Sequence, residues 1–268
     1  MGRSSSASPF APGTAGSEYA VGVRHLRVSF GGVIAVDDVT FDIPRGQATG
    51  LIGPNGAGKS TVLRVMSGWM RSNAGRVLLN GKDVTRLSAD VLARRGLMRT
   101  FQISSEFGHL TVLENLLVAV RGQAGDTLPG ALLGRWRWRT DERRNIERAM
   151  ELLERFHMAG HADDYAGELS GGEKRLVEIM RALMAEPSVL LLDEPLAGIN
   201  PTLCQTIEAH LRSLRDDGLT MVIVEHELGA IERVCDSVIA MASGRVLAQG
   251  RMESLRANRE VADAYLIG

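Results

Sequence analysis

The 268-residue chain is 44% apolar and 24% charged, with a formal net charge of −1. These values suit a globular protein with a sizeable core. They give no electrostatic case for a nucleic-acid partner, which calls for a basic domain or stripe. No apolar run approaches the ~18 residues needed to span a bilayer, and Cys204 and Cys235 lack metal-ligand or CxxC spacing, so they read as plain thiols of a reducing compartment.

Residues 1–20 open on a Ser-, Ala-, Gly- and Pro-rich stretch without an apolar centre, which reads as a disordered tail and not a secretory signal. From Val21 to Phe30 the pattern predicts a strand. Gly31-Gly32 turn the chain, and Val36 to Ile43 alternate as a second strand. After Pro44-Arg45-Gly46, Ala48 to Ile52 is a short apolar strand, Gly53 to Ser60 a loop, and Thr61 to Met66 a helix. Val77 to Leu79 with Asn80-Gly81 reads as strand and type I′ turn.

The character changes over 95–175. Val112 to Val120 and Asp141 to Phe156 have helical spacing, interrupted by Gly and Pro between Gly122 and Gly134. Strand-like runs then return at Val189 to Leu192 and Thr220 to Val224, around a helix from Thr202 to Arg215. A hairpin follows at Val238 to Met241 and Arg245 to Ala248. Alternating strands and helices predict an α/β core with a mainly parallel sheet over 21–94 and 176–268. Residues 95–175 read as an inserted helical subdomain.

Gly53-Pro54-Asn55-Gly56-Ala57-Gly58-Lys59-Ser60 fits GxxxxGK[ST] between a strand and a helix. Gly56 and Gly58 allow successive backbone N–H groups to point inward as an anion nest, and the helix start adds its positive dipole end. Lys59 is placed for the β- and γ-phosphates, and Ser60 for Mg²⁺. Val189-Leu190-Leu191-Leu192-Asp193-Glu194 is an apolar strand ending in two acids. At the carboxyl end of a parallel strand these face the ligand crevice, with Asp193 suited to Mg²⁺ and Glu194 to polarising an attacking water.

Leu169-Ser170-Gly171-Gly172-Glu173 is locally a capping box, with Ser170 as N-cap and Glu173 three residues on. The cap does not explain two consecutive glycines, which imply close approach to the backbone. A helix start with free N–H groups and a hydroxyl is a second phosphate site.

With these residues the chain, from about Val23 to its end, resembles the ATP-binding cassette (ABC) family, whose LSGGQ signature touches the γ-phosphate held by the other subunit of a dimer. The resemblance implies a P-loop NTPase (RecA-like) core with an N-terminal antiparallel β subdomain and an inserted α-helical signature subdomain. It implies ATP hydrolysis with Mg²⁺. ATP would be held by Gly53 to Ser60 with Thr61, and by Phe30 stacking on adenine; Ser170, Gly171, Gly172 and Glu173 would meet the partner's ATP. It also assigns Gln102 to Mg²⁺ or the attacking water and His226 to the γ-phosphate, beside Ser60, Asp193 and the catalytic Glu194. Two residues depart from the family pattern: Glu173 replaces Gln, and Asn200 stands where many cassettes have Asp.

Leu196-Ala197-Gly198-Ile199-Asn200-Pro201, the segment Gly122 to Arg139 and the ending Ala262 to Leu266 resemble the branched-chain amino acid (Liv-type) importer ATPases. The implied partners are a second ATPase subunit, two integral-membrane permease subunits and, indirectly, a periplasmic-type solute-binding protein. The implied place is the cytoplasmic face of the cell membrane. A lipopolysaccharide-exporting ATPase and a non-transport cassette remain alternatives. Trp136 and Trp138, flanked by Arg135, Arg137 and Arg139, read as a loop or helix tip with its rings partly packed, with a membrane or nucleic-acid contact as the alternative. Phe101, Ile103, Phe107 and Leu110 are candidate apolar anchors for a permease helix.

Overall fold

The computed structural model describes residues 18–100, 107–120 and 135–266. The first elements are β1 (Tyr19–Phe30), β2 (Val33–Pro44), β3 (Ala48–Ile52), α1 (Lys59–Met66), β4 (Ala74–Leu79) and β5 (Lys82–Asp83). There follow α2 (Ala89–Arg94), β6 (Leu97–Arg99), α3 (Val112–Val118), α4 (Arg135–Arg155) and α5 (Gly171–Met184). The remainder is β7 (Val189–Asp193), α6 (Pro201–Asp216), β8 (Thr220–Val224), α7 (Leu228–Val234), β9 (Ser237–Ala242), β10 (Arg245–Gly250), α8 (Met252–Arg256) and α9 (Arg259–Leu266). The described residues form two compact units. One comprises those up to Arg99, 187–197 and from Cys204 onward; the other comprises those between 100 and 186 together with 198–203.

The first unit holds two sheets. An antiparallel one runs β2-β1-β4-β5, and a six-stranded one runs β10-β9-β3-β8-β7-β6. In the larger sheet β9, β3, β8, β7 and β6 are mutually parallel, and β10 closes one edge antiparallel to β9. Strands β3 and β8 are buried at every position and β7 at all but its last. That is why they read as unbroken apolar runs: a parallel strand covered on both faces has no solvent side to alternate toward. Val21, Val23, Phe41 and Ile43 of the smaller sheet share one core with Leu51, Leu63, Leu191, Val222 and Ile239. Positive φ at Asn80 and Gly81 (51° and 76°) and at Ser243 and Gly244 (48° and 76°) makes the two expected hairpin turns.

In the second unit α3 packs on both α4 and α5, with Val112, Leu116, Leu153 and Ile179 buried. Both α3 and α5 start with a reciprocal capping box, Thr111 with Glu114 and Ser170 with Glu173. Arg148 donates to the Leu183 carbonyl at 3.0 Å and also pairs with Glu186, tying α4 to the end of α5. The expected subdomain boundary at 175/176 is therefore displaced. It would cut α5 after its first turn, whereas the continuous helix carries the unit to Glu186. Trp136 and Trp138 lie in the first turns of α4. Among the described residues no helix is long and apolar enough to cross a membrane.

Candidate functional site: a phosphate loop with a paired Glu and His

The loop between β3 and α1 folds as the glycine pattern demands. Gly53, Gly56 and Gly58 have φ of 152°, 79° and 97°. Their reasons differ. A Cβ on Gly53 would lie 2.1 Å from the Met241 carbonyl oxygen, and one on Gly58 would lie 2.5 Å from that of Ala35. The loop is thus pressed between the β9–β10 and β1–β2 hairpins, while Gly56 faces open space. Lys59 is 5% exposed. Its Nζ donates to the Gly53 and Pro54 carbonyls at 2.7 and 3.0 Å. Burial lowers the pKa of this ammonium, and the charges of Glu194 and Asp193 oppose that shift.

Asn55 to Thr61 line a cavity of about 260 Å³ together with Ala35, Glu194 and His226. His226 Nε2 is 2.7 Å from Glu194 Oε1. Glu194 has φ of 50°, an uncommon backbone for a residue with a side chain. Asp193, at the end of β7, pairs with Arg99 at 2.7 Å. Ser60 and Asp193 offer only oxygen, the donor type a hard cation such as Mg²⁺ takes. Among the described residues no cluster of three His, Cys, Asp or Glu could hold a metal by itself.

On the second unit, Ser170 caps α5. Its Oγ accepts from Glu173 N at 3.4 Å, and Glu173 Oε2 accepts from Ser170 N at 2.8 Å. Hydrogen bonds from the Ser170 hydroxyl and then its backbone N–H, with a smaller contribution from His161, hold the Glu173 carboxyl below its ordinary range. Gly171 is exposed with open space around its Cα, as a phosphate-facing helix start requires. Gly172 is buried against Leu203 and Ile199.

Residues 36–197 match the ABC transporter family. The chain belongs to it. This cassette is 36% identical to the probable branched-chain amino acid transport ATP-binding protein LivG of Archaeoglobus fulgidus, over 91% of this chain and 93% of that one. It is 35% identical to the high-affinity branched-chain amino acid transport ATP-binding protein LivG of Escherichia coli K12, over 93% and 98%. Among solved structures, it resembles the ADP conformation of an ABC-transporter cassette with a TM-score of 0.79 and 32% identity, covering 93% of this chain and 99% of that one. It is an ATP-binding, ATP-hydrolysing subunit of the ABC type.

Phe30, at the end of β1, is half exposed and lies outside the cavity lining. Beside it the first residues of β2, Val33 and Ile34, are also exposed, at 69% and 45%. Gln102, Phe101 and Ile103 fall outside the described residues. The Phe107 ring carries the Arg181 guanidinium 4.4 Å above its centre, so it is partly covered within its own unit. Asn200 has a plain local role: its Oδ1 accepts from Leu203 N at 2.9 Å and caps α6, which Asn does as well as Asp.

Sequence reasoning missed three neighbours of the site. Arg99 left no signal, because its partner is 94 positions away. Glu225, next to His226, resembles any acid after a strand. Tyr265, on α9, is hydrogen-bonded to the Gly53 backbone, and burial pushes its hydroxyl up to about 12.

Proposed function

We propose that this cassette energises uptake of branched-chain or other hydrophobic amino acids, or related small solutes. It would work as one of two ATPase subunits at the cytoplasmic face of a membrane, docked on two permease subunits that a solute-binding protein supplies. The observation that carries this reading is near-full-length similarity to transport ATPases named for branched-chain amino acids.

In the proposed reaction, Gly53 to Thr61 cradle the phosphates of ATP, and Phe30 with the exposed Val33 and Ile34 offers its base an apolar surface. Lys59 exchanges its carbonyl partners for phosphate oxygens. Ser60 and Asp193 would hold Mg²⁺, with Gln102 as a third group; the ion supplies charge neutralisation on the phosphates. Water attacks the γ-phosphorus, the bond to the leaving ADP oxygen breaks, and Glu194 takes the water proton. His226, already bonded to Glu194, fixes that carboxylate and reads the γ-phosphate. Ser170, Gly171 and Gly172, on the helix that Glu173 caps, present a hydroxyl and N–H groups to the ATP of the second subunit. Positioning and charge carry this catalysis, since phosphoryl transfer asks little covalent help from protein.

Glu194→Gln tests the chemistry. Steady turnover should vanish while an ATP-bound dimer accumulates in size-exclusion chromatography; wild-type turnover would sink the assignment of Glu194. Uptake of labelled leucine, isoleucine and valine by cells carrying or lacking the gene tests the cargo, and equal uptake in both would remove it.

A further inference from the structure

Behind the Glu194–His226 pair lies a third acid that no sequence motif marks. We propose that Glu225 is a positioning residue for hydrolysis: its carboxylate joins the backbone of Leu196 to that of His226, and so holds Glu194 and His226 at bonding distance. The proposal rests on the roles given above to Glu194 and His226.

The geometry is specific. Strands β7 and β8 run in register with Asp193 opposite Val224, and the ladder ends with Glu194 N donating to Val224 O at 2.9 Å. Beyond that bond the two chains leave the sheet. The amides of Leu196 and His226 then both donate to Glu225, to Oε1 at 2.7 Å and Oε2 at 3.3 Å. Glu225 is 4% exposed, so little water is available to replace it. Only a carboxylate gives two acceptor oxygens here; a glutamine gives one, and sets an N–H donor against the other amide.

The residue that benefits is Glu194. Its left-handed backbone persists only where its surroundings over-determine it. Val224 O holds its amide, Ala197 N closes the following turn on Glu194 O at 3.2 Å, and Glu225 fastens that turn at Leu196. Fastened to the same carboxylate, His226 presents Nε2 to Glu194 Oε1 at 2.7 Å. Retaining this acid has a cost. Burial raises its pKa, the Leu196 and His226 amides pull it back, and Glu194 adds a like charge. A carboxylate held against those opposing forces, and spent on two backbone amides flanking the reacting pair, acts through what it aligns.

Steady-state ATP hydrolysis and thermal midpoints of the full chain test this in wild type, E225A, E225Q and E194Q. E225A should lose kcat by about 10- to 100-fold, the scale of a displaced catalytic group, with the KM for ATP within about twofold of wild type. E225Q, keeping one acceptor, should recover part of that loss. The proposal is overturned if E225A hydrolyses within about twofold of wild type. It is also overturned if E225A and E225Q lose kcat equally, with KM raised and the midpoint lowered together. Should E225A fail to fold, E225Q decides alone: a reduced kcat at unchanged KM and midpoint supports the clamp, and wild-type kcat removes it. Normal turnover in E194Q would instead remove the underlying role of Glu194, a result distinguishable from failure of the clamp.

Discussion

Gly171 and Gly172 are adjacent, yet alanine at each should act on different observables. A Cβ on Gly172 would lie 1.8 Å from Leu203 Cδ2, 2.9 Å from its Cγ and 3.3 Å from Ile199 Cγ2. Rotating Leu203 about χ2 moves Cδ2 but leaves Cγ in place. Relief of the second contact therefore needs a change of χ1 in a packed site, or a shift of the helix start by some tenths of an ångström. Overpacking of this kind costs about 1–3 kcal/mol, and each kcal/mol moves the thermal midpoint by about 2–4 °C in a chain this size. Gly171 has nothing within 4 Å and a helical backbone. Alanine there should leave stability unchanged or raise it by up to about 1 kcal/mol, while ATP-driven dimerisation and turnover fall because a methyl stands where phosphate must approach. Leu203→Ala opens the space, so the Gly172→Ala/Leu203→Ala pair should recover at least about 1 kcal/mol of coupling in a double-mutant cycle. Denaturation curves of the four proteins, read beside their ATPase rates, check this. Equal midpoints for G171A and G172A, or no coupling between G172A and L203A, would refute the packing account of Gly172.

The glycines of the phosphate loop should separate in the same way. Gly53→Ala meets a backbone carbonyl at 2.1 Å and should cost at least about 3 kcal/mol in denaturation, whereas Gly56→Ala, with open space but φ of 79°, should cost only about 1–2 kcal/mol of left-handed strain. Glu178, whose carboxyl is raised chiefly by burial and only partly restored by Arg175, binds its proton more tightly folded than unfolded. Its contribution to stability therefore falls as pH rises through the window above the ordinary glutamate range. Glu178→Gln should gain on wild type across that window in denaturant midpoints taken from pH 4 to 8, and a difference that stays flat would exclude the buried acid as the source.

Much of this cassette can be read from neighbouring residues. The phosphate loop, the two acids ending β7, the Ser170–Glu173 cap and the hairpin turns are all legible because each answers a local backbone need: an anion nest, a strand end, four orphan amides, two positive φ values. The apolar strands are legible too, because burial on both faces leaves one composition. The tertiary structure alone decided that Asp193 meets Arg99, that Glu225 clamps the amides flanking Glu194 and His226, that Gly172 yields to Leu203, and that α5 belongs wholly with the helical unit. Those facts depend on which distant segments come together. A residue chosen for a partner many positions away carries no periodicity or spacing of its own, so it looks like any other arginine, glutamate or glycine until the chain has folded.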